Sequence, residues 1–146
     1  MKSILFTICL FLCFSSCDSN GSANIDITGN WFSHRNTSRD VNYYVETFIS
    51  KDKFYDYNTF SGLSPELNYE IKEGVLYKTS FNNKDKRESG AFERIDTNTF
   101  SLKNNDEVIV FKRVMKGITL EDFLNNKASG DDYWKNFSKR KQKFEN

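Results

Sequence analysis

From Asn24 to Val114 the chain is a succession of short runs in which apolar and polar residues alternate, each ended within a few residues by a turn signal. In "VNYYVETFIS", Val41, Tyr43, Val45, Thr47 and Ile49 share one side, with Asn42, Glu46 and Ser50 on the other. Period two is the repeat of a strand with two different faces. Ser50-Lys51-Asp52-Lys53 turns the chain into a run from Phe54 to Phe60. Leu67, Tyr69 and Ile71 alternate again, Lys72-Glu73-Gly74 turns, and Val75, Tyr77, Thr79 and Phe81 return. A polar loop, "NNKDKRESG", leads to Ala91–Ile95; Asp96-Thr97-Asn98 turns into Phe100 and Leu102, and Asn104-Asn105-Asp106 into "EVIVFKRV". No helix-length segment separates these runs, so neighbours pair as an antiparallel meander. About eight strands cannot lie flat under one apolar face, which predicts an all-β, up-and-down barrel with a short helical C-terminal extension; a flattened sandwich is the alternative.

The pattern changes at Gly117. In "ITLEDFLNNKASG", Thr119 is placed to cap a short helix with Glu121 and Asp122 in its first turn. Gly130 is expected to stop it and Asp131 to cap the next, along which Tyr133, Trp134, Phe137 and Phe144 fall broadly on one face, with acids first and Lys135, Lys139, Arg140, Lys141 and Lys143 later. Such a helix either docks its aromatic face on the barrel or lies on an anionic surface.

The N-terminus reads as an export signal. After Lys2, Ile4–Phe14 is apolar apart from Thr7, shorter than the roughly twenty residues that span a bilayer and the length of a signal-peptide core. Phe14-Ser15-Ser16-Cys17, followed at once by the polar "DSNGS", resembles a bacterial lipoprotein signal, whose cysteine is lipidated and becomes the first residue after cleavage. The resemblance implies a signal peptide over 1–16, a palmitate-bearing anchor at Cys17 on a tether over 17–25, a barrel over 26–115 and a helical extension over 116–146. It also implies a cell-envelope location, at the outer membrane facing the periplasm or exterior. The chain has three cysteines; with Cys9 and Cys13 in the segment this resemblance implies is removed and Cys17 lipidated, no free thiol would be left for a disulfide, a zinc site or a nucleophile.

With 21 basic and 20 acidic residues the charge is nearly balanced, which speaks against a nucleic-acid partner. Fourteen Phe, seven Tyr and one Pro suit a well-packed β domain. Gly29-Asn30-Trp31 at the first strand, the meander and the closing "VIVFKRV" are similar to the small lipocalin-like lipoproteins of Bacteroidetes type. In that family Gly29 and Trp31 would close one end of the barrel; the plain alternatives are a strand-edge glycine and a core aromatic.

Chemistry is sparse. His34 is the single histidine, so neither a histidine metal site nor a triad is specified. Asp52, Glu70, Glu73, Glu93 and Asp106 fall in turns or on polar faces, and no phosphate loop, calcium loop or nucleophile elbow is present. The expectation is a non-enzymatic chain with no cofactor and no metal. Tyr43, Tyr55, Tyr57, Tyr69 and Tyr77 recur on adjacent strands and are candidate ligand contacts as well as candidate core. Two functions stay open: a membrane-anchored binding module for a small apolar ligand or envelope partner, and an inhibitor or immunity lipoprotein that blocks an envelope-active enzyme or toxin through "NNKDKRESG" or "TFSGLSPE".

Overall fold

The computed structural model describes residues 25–36, 42–80, 85–105 and 107–145. The signal segment, Cys17 and most of its tether lie outside them, as do Val41, Phe81 and Asp106. Nine strands form one sheet: β1 (Gly29–Asn36), β2 (Asn42–Ile49), β3 (Lys53–Asn58), β4 (Gly62–Leu63), β5 (Leu67–Lys72), β6 (Val75–Ser80), β7 (Lys86–Asp96), β8 (Thr99–Lys103) and β9 (Val108–Arg113). All pairings are antiparallel; β9 joins β1, and β2 joins β3, which in turn joins β5. The result is a closed, lipocalin-like barrel of eight strands, with β4 as a two-residue flap on β3. Closure leaves no long free edge, the state a meander of this length reaches when its inner rows are apolar.

The inner rows pack as expected around Ile27, Trp31, Ile49, Phe54, Leu76, Phe100, Leu102 and Phe111, none more than 2% exposed. Phe100 stacks on Phe111 at 4.5 Å and takes the edge of Trp31 at 4.7 Å. In β6 the inner row is Leu76 and Lys78, so Val75, Tyr77 and Thr79 face outward. The "NNKDKRESG" segment is not all loop: from Lys86 it belongs to β7, because Lys86 and Arg87 pair with Thr79 and Lys78, and a bulge before Gly90 absorbs the extra residue. Gly90 (φ +138°) fits there because a Cβ would meet the Lys103 carbonyl at 2.8 Å.

Two helices cover the outer face of β1–β3. Thr119 caps α1 (Leu120–Leu124): its hydroxyl accepts from Asp122 N at 3.3 Å, and Asp122 accepts in return from Thr119 N at 2.9 Å. Asn126 (φ +56°) ends that turn. The second helix, α2 (Gly130–Glu145), starts two residues earlier than a cap at Asp131 would have it, and Gly130 does not stop α1. Ser129 Oγ accepts from Asp132 N at 3.1 Å, so serine caps it and Gly130 becomes its first residue. Tyr133 and Phe137 are buried against Tyr44 and Tyr57, with Phe137 at 5.2 and 5.0 Å from those rings. The aromatic face therefore docks on the barrel. Among the described residues no helix is long and apolar enough to cross a membrane.

Candidate functional site

The two ends of the barrel differ. The lower end, where the chain enters, is plugged. Trp31 Nε1 donates to Ile27 O at 2.9 Å, and the Arg113 guanidinium lies 4.2 Å over the indole while donating to Thr28 O at 3.3 Å. Arg94 donates to the Asp26 carbonyl alongside. Gly29 (φ +122°) holds a backbone conformation that residues with a side chain rarely adopt, and a Cβ there would displace the Arg113 guanidinium from the plug. Gly29 and Trp31 thus sit together at the closed end.

Above that floor the interior turns polar. Ser33 and Arg35 continue the inner row of β1, Thr47 that of β2, Asp56 that of β3 and Lys78 that of β6. Arg35 holds Asp56 with two bonds, Nη1 to Oδ2 at 3.0 Å and Nη2 to Oδ1 at 3.1 Å, and the Thr47 hydroxyl donates to Oδ1 at 2.5 Å. Burial pushes the Asp56 carboxyl up, but Arg35 and Lys78 outweigh it and leave it below its ordinary value. Lys78 Nζ lies 3.5 Å over the Phe54 ring and makes no hydrogen bond among the described residues. Burial, helped by Arg35 and opposed by Asp56, pulls its pKa down to about 8. Ser33 Oγ and Arg35 Nε are buried with no hydrogen-bond partner among the described residues. Beside Lys78, a cavity of about 480 Å³ is bordered by Leu67, Ser80, Asp85 and Arg87 and lies at the upper end, by the β6–β7 connection.

Outside the barrel a second buried carboxylate fastens α2. Glu46, 1% exposed, accepts from Arg140 Nε at 2.6 Å, Arg140 Nη2 at 2.9 Å, the Tyr44 hydroxyl at 2.9 Å and the Tyr133 hydroxyl at 3.1 Å. Burial first, and then the carboxylate, raise the pKa of both tyrosines.

The five tyrosines do not converge. Tyr43 stands at the upper rim, 5.7 Å from Phe60. Tyr55 stacks on Phe48 outside the barrel and donates to Glu66 at 3.1 Å; Tyr57 packs under α2. Tyr69 packs against the interior core and donates to Ser50 O at 3.0 Å, and Tyr77 lies outside beneath Lys86. His34 sits on the outer side, its ring 4.1 Å from Phe144, with its pKa lowered chiefly by burial. Among the described residues no group of three or more His, Cys, Asp or Glu is placed to hold a metal.

Arg35, Asp56 and Lys78 carry the one charged interior cluster described, and the alternation pattern alone does not single them out. The signal available was Asp56 between Phe54 and Asn58 on one row of β3, but the other row, Tyr55 and Tyr57, reads as the more apolar face. Compared with protein-family models, with curated proteins and with solved structures, the chain matches none.

Proposed function

We propose that this chain is a lipid-anchored envelope protein whose barrel binds a small ligand entering from the upper end. The observation that carries the reading is the division of the interior: a floor sealed by Trp31 and Arg113, and above it half-buried charged groups beside a cavity of about 480 Å³. An eight-stranded barrel is just wide enough to be filled by its own side chains or to hold one small molecule. Here the lower half is filled and the upper half carries polar groups that a purely structural core would replace with apolar ones. Anchoring through Cys17 would set the domain at the membrane surface on a tether of a few residues. Native mass spectrometry of the full chain extracted from its own membranes tests both parts. The expected result is a lipidated mass plus a retained small molecule; an unmodified Cys17 removes the anchor, and an empty barrel under gentle extraction removes the carrier.

The blocking reading rests on a different observation. The segment after β3 is ordered by Asn58, whose carboxamide oxygen accepts from Phe60 N at 2.9 Å and Ser61 N at 3.0 Å, yet Phe60 is 71% exposed. An aromatic held out on a stiff loop suits insertion into a partner's cleft. A stoichiometric protein partner in the same spectra, lost in Phe60→Ala, favours this function over ligand carriage.

A further inference from the structure

A groove runs between the last turns of α2 and the segment that leaves β9. It encloses about 360 Å³, floored by Phe32 and Tyr44 on the outer face of the sheet and bordered by Met115 and Phe144. Those two are 69% and 41% exposed, so the apolar lining is open to its surroundings. Every charged side chain that lines the groove is a cation. Arg140 is spent on Glu46, and Arg113 is held in the plug over Trp31. Lys116 and Lys143 make no ion pair among the described residues, and Glu145, the acid nearest in the helix, is taken by Lys141 at 2.9 Å. Lys112 adds a further cation, its Nζ 5.8 Å over the Phe144 ring. Exposed apolar side chains among unpaired lysines match a partner that is anionic at its surface and apolar beneath.

The position of the groove gives a second argument. Arg113 and Val114 belong to the closed end of the barrel, where Val114 N donates to Asn30 O at 2.8 Å. The described chain enters at that same end from Ile25, and residues 17 to 24 precede it. Fully extended, that stretch reaches no further than about 30 Å. We infer, resting on the anchored reading above, that this groove is where the domain meets an anionic lipid leaflet. Met115 and Phe144 enter the boundary between headgroups and acyl chains, while Lys112, Lys116 and Lys143 extend to the lipid phosphates. The closed end then lies toward the bilayer, and the upper end with its cavity lies away from it.

Met115 is its own reporter, because the other methionine of the chain is Met1. The full chain, purified from its membranes in non-ionic detergent, is reconstituted into vesicles of phosphatidylcholine alone or mixed with phosphatidylglycerol. Oxidation of Met115 by hydrogen peroxide is then followed by mass spectrometry. Anchoring through Cys17 holds the chain on both kinds of vesicle, so only the seating of the groove separates them. Each lysine at an anionic surface favours contact about fivefold, so Met115 should oxidise at least about tenfold more slowly on the anionic vesicles. Lys116→Glu combined with Lys143→Glu should restore the faster rate; both side chains are exposed, so the fold is not at stake. Equal rates on the two vesicles, or protection that survives both substitutions, overturns the inference and leaves the anchor in place. Protection already complete on phosphatidylcholine overturns it too, in favour of a second copy or a soluble amphiphile in the groove. A chain that does not sediment with phosphatidylcholine vesicles overturns the anchor instead, and protection of Met115 by the anionic vesicles then decides the groove by itself.

Discussion

At the scale of single residues the interior and the exterior carboxylates play different parts. Glu46 is saturated by four donors, and Arg140, whose side chain is 18% exposed, supplies two of them. Removing one partner of a buried ion pair leaves the other charged in a poor dielectric, which costs about 3–5 kcal/mol. Arg140→Met should therefore lower the unfolding free energy by about 3 kcal/mol in urea titrations, and Glu46→Gln in the same chain should recover more than half of it. A loss confined to a few tenths would mean that the pair is not desolvated in solution. Lys78 behaves the opposite way. Burial is the largest influence on it and disfavours its charge, so Lys78→Met should raise the melting temperature by about 3 °C. Asp56 sets the acid limit. Its folded-state pKa lies below its unfolded value, so the stability it contributes is present above about pH 4 and lost as pH falls through the lower, folded value. Asp56→Asn should flatten that acid limb in pH-dependent melting curves.

Elements show what alternation can and cannot say. Period two in β2 correctly sets Val45, Thr47 and Ile49 apart from Glu46, and Leu67, Tyr69 and Ile71 alternate in burial along β5. Alternation reports only which residues share a face. It does not report whether the second face is covered, and Tyr44 and Glu46 are on an outer face sealed by α2. Once both faces are buried, polarity no longer marks the outside. Asp56 is an inner-row residue between outward Tyr55 and Tyr57, and Lys78 one between outward Tyr77 and Thr79, so reading polar as outward inverts β3 and β6. The helix caps are more legible because capping is local: Thr119 fits its place by sequence alone, whereas Gly130 and Asp131 offer a competing stop and cap beside Ser129. The docking face gives a sharp test. Phe137 is fully buried between Tyr44, Tyr57 and Trp134, so Phe137→Ala should cost about 3–5 kcal/mol in chemical unfolding. Ser129→Ala, which removes only a cap, should cost about 1 kcal/mol.

Over the whole molecule, the two helices complete the barrel. The outer side of β5–β7 carries Asn68, Glu70, Lys72, Lys86 and Glu93, groups at home in water. The outer side of β1–β3 carries Phe32, Tyr44, Phe48, Tyr55 and Tyr57, together with the Glu46 carboxylate. Without α1 and α2 that side would present a contiguous aromatic patch with a carboxylate in it, a surface that monomeric proteins avoid. The strands that bear it, β1 to β3, also hold Arg35, Thr47 and Asp56 on their inner rows, so cover on the outside and the charged cluster inside share one stretch of backbone. A chain ending after Lys116 should therefore fail to give a monomeric barrel: sedimentation should show aggregates, and the near-ultraviolet dichroism of the packed aromatics should be lost. If instead the shortened chain remains monomeric and keeps that dichroism, the helices are only an appendage, and the barrel draws its geometry from the strands alone.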